Sequence, residues 1–97
     1  MNVSKATTEE IDDFLKTHPR WAMDDGKLQR LFKFRTFREA FSFMTEVAFF
    51  AERSNHHPEW SNVYNRVTVQ LVTHDASGVT GKDFDLATKM EMVASRR

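Results

Sequence analysis

The segment Arg66-Val67-Thr68-Val69-Gln70-Leu71-Val72-Thr73 decides the fold, because apolar and polar side chains alternate along it. Its apolar members on one side are Val67, Val69 and Leu71, and its polar members on the other side are Arg66, Thr68 and Gln70. This alternation predicts a half-buried strand of an antiparallel sheet. The apolar side needs a covering layer, whereas the polar side can face solvent or a partner.

Three helix starts are spread along the chain, and each pairs a threonine with an acidic residue three positions later. These capping boxes are Thr7-x-x-Glu10, Thr36-x-x-Glu39 and Thr80-x-x-Asp83. Between the first two, Asp25-Gly26 separates two apolar runs and predicts a hairpin turn. The order of helix, hairpin, helix, strands and helix predicts an α+β fold, with helices packed on one face of an antiparallel sheet.

The helix after Thr36 is rich in apolar residues and is predicted to be buried broadly. One apolar stripe comprises Phe37, Ala40, Phe41, Met44, Val47, Ala48 and Ala51, and a second flank comprises Phe43 and Phe50. Such a stripe at helical spacing is typical of a core and not of a ligand pocket. Because this helix has more apolar surface than one sheet can cover, and because sheet edges invite pairing, we expect a homodimer or a homotetramer.

Composition excludes several classes of function. The 97 residues are expected to form a single domain over residues 1–97, and Lys+Arg equals Asp+Glu at 14 each. A net charge of zero gives no general electrostatic reason to bind nucleic acid or an anionic membrane directly. The absence of cysteine excludes disulfides and thiolate chemistry. With no apolar leader and no membrane-spanning stretch, we expect a soluble intracellular protein.

Three of the four histidines are candidate functional residues, because they are predicted on a loop or at the end of a strand. His56 and His57 precede Pro58, which disfavours helical geometry at His57, so the pair is predicted on a loop after the long helix. His74 is predicted at the end of the strand, and Asp83 lies in the first turn of the last helix. These loop positions are expected to contribute little to the core.

Three interpretations of these residues remain open from the pattern alone. The first is acid–base catalysis, in which two imidazoles protonate a departing hydroxyl and deprotonate a nitrogen, while Asp83 orients one ring. The second is a metal site, because histidines and a carboxylate are suitable ligands, although adjacent histidines are an uncommon ligand pair. The third is purely structural, with His57 in a turn, His74 ending a strand and Asp83 capping a helix.

The spacing Glu52-x3-His56-His57-Pro58, then Tyr64, His74 and Asp83, resembles the signature of the pterin-4a-carbinolamine dehydratases. Flanking segments are also similar to that family, namely residues 41–48, 59–60, 62–65 and 83–87. The resemblance covers most of the chain from about Trp21 onward. It implies three helices packed on one face of a four-stranded antiparallel sheet.

The resemblance also implies an activity and a site. The activity is dehydration of 4a-hydroxytetrahydrobiopterin to quinonoid dihydrobiopterin, which recycles the cofactor of the aromatic amino acid hydroxylases. The pterin is then the substrate, and no metal and no bound cofactor are implied. The residues that match the family's catalytic positions are His56, His57, His74 and Asp83. Those that match its pterin-lining positions are His56, His57, Pro58, Thr73, His74, Asp75 and Ala76.

Some mammalian members of that family have a second function of a different class. They are dimerisation cofactors of a homeodomain transcription factor, the hepatocyte nuclear factor. The resemblance therefore implies an alternative in which the helical face binds protein, alone or beside the enzymatic activity. A cytoplasmic location fits the first function, and a nuclear pool fits the second.

Overall fold

The computed structural model describes residues 4–97. Residues 1–3, which belong to the N-terminal segment that was predicted to contain no apolar leader, lie outside this range. The helices are α1 (Thr8–Thr17), α2 (Phe37–Ser54) and α3 (Gly81–Ala94). The strands are β1 (Ala22–Asp24), β2 (Lys27–Lys33), β3 (Glu59–Val63) and β4 (Arg66–Leu71), and a 3-10 turn spans His74–Ala76. The predicted α+β fold of three helices and a four-stranded antiparallel sheet is confirmed.

Local chemistry explains where these elements begin and end. At α1, the Glu10 backbone N–H donates to the Thr7 hydroxyl, and the Thr7 N–H donates to the Glu10 carboxylate, which completes a capping box. Between β1 and β2, Asp25 has φ 52° and Gly26 has φ 76°, the pair of left-handed residues that a type I′ hairpin turn requires.

The sheet has the strand order β1-β2-β4-β3, and every neighbouring pair is antiparallel. The central strands β2 and β4 place Leu28 opposite Leu71 and Phe32 opposite Val67. Helices α2 and α3 cover this face, and the resulting core includes Leu28, Phe32, Val67, Val69, Leu71, Ala40, Phe43, Val47, Ala87, Met90 and Val93. No helix within residues 4–97 is long and apolar enough to cross a membrane.

The buried face of α2 differs from the predicted stripe. Phe43, which was predicted only as a flank, is fully buried, whereas Phe37 and Phe41 are 48% and 56% exposed. The cause is helical geometry: 3.6 residues per turn place Ala40, Phe43 and Val47 toward the sheet and rotate Phe41 away from it. The prediction that Phe37 and Phe41 are core residues of a single chain is therefore wrong.

The strand β4 is shorter than predicted, and this positions the site. It ends at Leu71, and Thr73 instead forms an isolated bridge with Gly78, so His74 begins the 3-10 turn and does not end the strand. In the β3–β4 pair, Glu59 lies opposite Gln70. The segment that enters β3 and the segment that leaves β4 therefore meet at the same end of the sheet.

Candidate active site

The His56-His57 pair lies directly behind the end of α2. The helix stops at Ser54 because Asn55 adopts a left-handed conformation with φ 52°, and the His56 backbone N–H donates to the Ala51 carbonyl at 3.0 Å. The predicted loop location of the pair is confirmed. The two rings then diverge: His56 is buried at 9% exposure, whereas the His57 side chain is 56% exposed.

The buried imidazole of His56 pairs with Asp83. Its Nε2 lies 2.6 Å from Oδ1 of Asp83, which is completely inaccessible to solvent. The Thr73 hydroxyl donates to Oδ2 of Asp83 at 2.8 Å, and the Thr80 backbone N–H donates to the same oxygen at 2.9 Å. Both oxygens of Asp83 are thus satisfied by groups from three segments, as a buried carboxylate requires.

Asp83 consequently takes part in two structures at once. With Thr80 it forms the capping box that begins α3, and with His56 it joins the start of α3 to the end of α2. The sequence predicted the capping pattern from spacing alone. The contact with His56 is 27 residues distant along the chain and depends on the packing of α3 against α2.

The two exposed motif histidines each pair with a glutamate. His57 Nε2 lies 2.8 Å from Oε1 of Glu52, on the last turn of α2. His74 Nε2 lies 3.1 Å from Oε2 of Glu59, the first residue of β3. Neither Glu52 nor Glu59 was predicted as a site residue, although both belong to the motif. The register of β3 against β4 is what places Glu59 beside His74.

Glu59 has a second partner. The Lys27 ammonium group donates to its Oε1 at 2.7 Å. This hydrogen bond from Lys27 is the largest influence on the Glu59 carboxyl and lowers its pKa below the ordinary value of 4.5, against a smaller opposing effect of desolvation. The Coulombic attraction of Lys27 and the hydrogen bond to His74 act in the same direction. Glu59 is therefore ionised at neutral pH.

Two surface cavities adjoin the histidine pair. His56 lines a cleft of about 740 Å³ between α2 and α3, with Phe50, Leu86 and Met92 among its apolar walls. His57 lines a second cleft of about 540 Å³, together with Pro58 and Trp60. His74 lines neither of them. The structure thus brings the motif residues to one end of the sheet but divides their rings between separate surfaces.

The other predicted pterin-lining residues are distributed in the same region. Thr73 is buried, and its hydroxyl contacts Asp83 and Thr80, so its side chain serves the interior network. Asp75 is exposed and Ala76 is half-buried in the 3-10 turn. Within residues 4–97, no three side chains among His, Asp and Glu are arranged as a set that could hold a metal ion.

Fold and site together define a class of protein. It is a small α+β protein in which three imidazoles, each with its own carboxylate partner, are placed at one end of an antiparallel sheet. Carboxylates that hold an imidazole fix its orientation and tautomer, as in hydrolytic triads. The arrangement is suited to proton transfer.

Comparison with known proteins identifies the family. A family model described as pterin 4 alpha carbinolamine dehydratase matches residues 4–93, and the chain belongs to this family of enzymes. A protein of Solibacter usitatus, named provisionally as such a dehydratase, is 50% identical over 95% of this chain and 97% of its own length. A protein of Rhizobium meliloti with the same provisional name is 48% identical over 100% of this chain and 95% of its own length.

A solved structure agrees with the fold. The crystal structure of a protein from Brucella melitensis, described as a transcriptional coactivator/pterin dehydratase, matches with a TM-score of 0.89 and 43% identity. The match covers 94% of this chain and 99% of that chain. The resemblance deduced from the motif residues is therefore confirmed at the level of family and fold.

Proposed function

We propose that this chain removes water from 4a-hydroxytetrahydrobiopterin and releases quinonoid dihydrobiopterin, so that the pterin can be reduced and used again by a hydroxylase. In this reaction the bond between ring carbon 4a and its hydroxyl breaks, and the hydroxyl leaves as water after it receives a proton. A ring nitrogen loses its proton as the new carbon–nitrogen double bond forms. Both events are proton transfers, for which imidazole is the most suitable side chain near neutral pH.

In this proposal His56, His57 and His74 supply the acid and base groups, and Asp83 is the supporting carboxylate. The observation that carries it is the buried pair of His56 and Asp83. A carboxylate without solvent contact, bound by one imidazole and two threonine donors, is a costly arrangement that rigidly holds the imidazole at the edge of a cleft. The pterin is proposed to contact the segments 56–58 and 73–76.

We further propose that the reaction uses neither a metal nor a bound cofactor. Each step only moves a proton, and positioned imidazoles are sufficient for such transfers near neutral pH. The dehydration involves no oxidation or reduction. The substrate loses one hydroxyl group and one nitrogen-bound proton, and together these make the water that is released.

The test is a direct assay of dehydration. A 4a-hydroxytetrahydropterin is generated and mixed with the purified chain, and formation of the quinonoid product is followed by absorbance against the spontaneous reaction. The expected result is an acceleration proportional to protein concentration that His57→Ala largely removes. A rate equal to the spontaneous rate at every protein concentration would refute the proposed function.

A second function is favoured by one specific observation, an apolar surface on α2. Phe37, Phe41 and Phe49 are 48%, 56% and 67% exposed, and they line a shallow cleft of about 620 Å³ with Thr45 and Glu46. Exposed aromatic clusters of this kind mark protein contacts. We propose that this face, the α2 phenylalanine face, joins copies of the chain into a homo-oligomer, and that a transcription factor is the alternative partner.

A further inference from the structure

All three motif imidazoles contact a carboxylate through the same ring atom. Nε2 faces Asp83 in His56, Glu52 in His57 and Glu59 in His74. Among residues 4–97, the Nδ1 atoms of these rings have no hydrogen-bond partner. Asp83 also begins a helix, and Glu52 lies on the helical turn before its histidine. Glu59 lies on a separate strand, 15 residues from His74, and its other oxygen pairs with Lys27.

We propose that Glu59 is the positioning residue of His74: its carboxylate accepts a hydrogen bond from the Nε2–H group, holds the ring at the end of the sheet and leaves Nδ1 as the atom that exchanges a proton with the substrate. This deepens the proposed function, because it assigns a role within the same reaction. Lys27, on the other oxygen of Glu59, holds the carboxylate in place.

The direction of the hydrogen bond follows from the charge of Glu59. Lys27 keeps this carboxylate ionised, and an ionised carboxylate can only accept hydrogen bonds. Nε2 of His74 must therefore carry the proton that is shared with Glu59. In a neutral imidazole the other nitrogen is then an acceptor, so Nδ1 is the basic atom.

The position of Glu59 in β3 explains why it reaches His74. Its neighbour Trp60 lies opposite Val69 on the helix side of the sheet, so Glu59 projects from the helix-free face. Lys27 alternates with the buried Leu28 in the same way and projects from the same face. Asp83 holds His56 on the helix side. The carboxylate partners of His56 and His74 therefore lie on opposite faces of the sheet.

Few charged groups lie near the His74 ring. Its ring is 78% exposed, and its partners on packed elements are Glu59 of β3 and, through that residue, Lys27 of β2. Asp75 follows it directly in the 3-10 turn and is exposed. Because an exposed pair gains little free energy from charge alone, the contribution of Glu59 is expected in the orientation of the ring and not in the stability of the fold.

The experiment is a double-mutant cycle on turnover. Glu59→Gln should lower kcat by about tenfold or more with a small change in KM, because the ring loses its orientation. In a His74→Ala background the same change should alter kcat by less than about twofold, because residues that act through one another are not additive. Glu59→Asp should recover part of the loss. The matched control is Glu52→Gln, which should cost a similar factor in both backgrounds.

A measurement without substrate separates this proposal from the proposed function. In protein labelled with ¹⁵N at histidine, the Nε2 signal of His74 should move in Glu59→Gln, and to a smaller extent in Lys27→Met, whether or not the chain dehydrates a pterin. Additive effects of Glu59→Gln and His74→Ala, or an Nε2 signal unchanged by Glu59→Gln, would overturn the role of Glu59. An inactive wild-type chain with a shifted signal would instead reject the reaction and keep the pairing.

Discussion

The imidazole Nε2 of His56 lies 2.6 Å from the carboxylate Oδ1 of Asp83, and this contact joins the end of α2 to the first turn of α3. Both side chains are buried, the second completely. His56 is therefore a structural residue as well as a candidate catalytic one. Removal of either partner leaves the other in the interior without its main polar contact.

Substitution of the two adjacent histidines should separate structure from catalysis. His56→Ala leaves Oδ1 of the buried Asp83 carboxylate without its imidazole partner and should lower the free energy of unfolding by about 3–5 kcal/mol. His57→Ala removes an exposed ring and should leave stability nearly unchanged. Both variants should lose roughly a hundredfold in turnover. Urea unfolding and the dehydration assay measure the two effects, and equal stability of both variants would contradict the role of the buried pair.

We expect Asp83 to tolerate neither loss of charge nor added length. Asp83→Asn cannot accept from His56, Thr73 and the Thr80 N–H together, because its amide nitrogen is a donor, and one unsatisfied buried group costs about 1–3 kcal/mol. Asp83→Glu adds a methylene group at a fully buried site, at a cost of about 1–3 kcal/mol.

Both Asp83 variants should also turn over slowly, because the His56 ring is no longer held. The complete burial of Asp83 is the reason why even the conservative glutamate variant should be destabilised. Thermal unfolding and kcat test both statements. A glutamate variant with wild-type stability and rate would show that neither the fold nor the orientation of His56 depends on the length of the side chain at position 83.

Metal dependence is the measurement that decides between the two chemical interpretations of the histidines. We expect purified protein to contain no stoichiometric zinc or iron and to keep its dehydration rate after treatment with a chelator, because the proposed steps only transfer protons. Elemental analysis and the assay before and after chelation are sufficient. A rate that falls on chelation and returns with added metal would support the metal site instead.

The α2 phenylalanine face should control assembly. Phe41→Glu and Phe49→Glu place charges on the exposed apolar surface and should shift the chain toward the monomer, because charged groups at an interface core oppose burial. Light scattering at micromolar concentration compares each variant with the wild type and with Tyr64→Glu, a substitution at an exposed aromatic residue outside this face. A wild-type chain that is a monomer of 11.4 kDa would reject the proposed oligomer.

The C-terminal residues should make stability depend on pH through Glu46. A hydrogen bond from Arg97 is the largest influence on this carboxyl and lowers its pKa below the ordinary value of 4.5, with Arg96 contributing in the same direction. The folded state therefore gains stability above that value and loses it as the pH falls through the lower, folded pKa. The difference in unfolding free energy between wild type and Glu46→Gln should shrink on acidification below pH 4.5.

The partner residue supplies the control for this pH effect. Arg97→Gln removes the same hydrogen bond from the other side and should reduce the same pH dependence. If the difference in unfolding free energy between wild type and Glu46→Gln stays constant from neutral to acidic pH, Glu46 and Arg97 do not interact in solution. Urea titrations at several pH values provide the measurement.

Much of this protein was predictable from short-range pattern. Thr7 with Glu10, and Thr80 with Asp83, are capping signals because the groups they satisfy lie three residues away in any helix. The Asp25-Gly26 turn follows from its need for left-handed backbone. The placement of His56 and His57 on a loop follows from the steric effect of Pro58 on the residue before it. Each of these features depends only on near neighbours, so the sequence by itself determined them.

Tertiary structure decided which member of each local set is buried and which partner it meets. Period alone could not choose between Phe41 and Phe43 on α2, because both belong to apolar rows, and the sheet selected Phe43. The partner of His56 is distant in sequence, and Glu59 reaches His74 only because β3 pairs with β4 in one register. Burial and long-range contacts are properties of packed surfaces. A one-dimensional pattern records which residues are able to take part in them, whereas the three-dimensional arrangement of helices and strands decides which of them do.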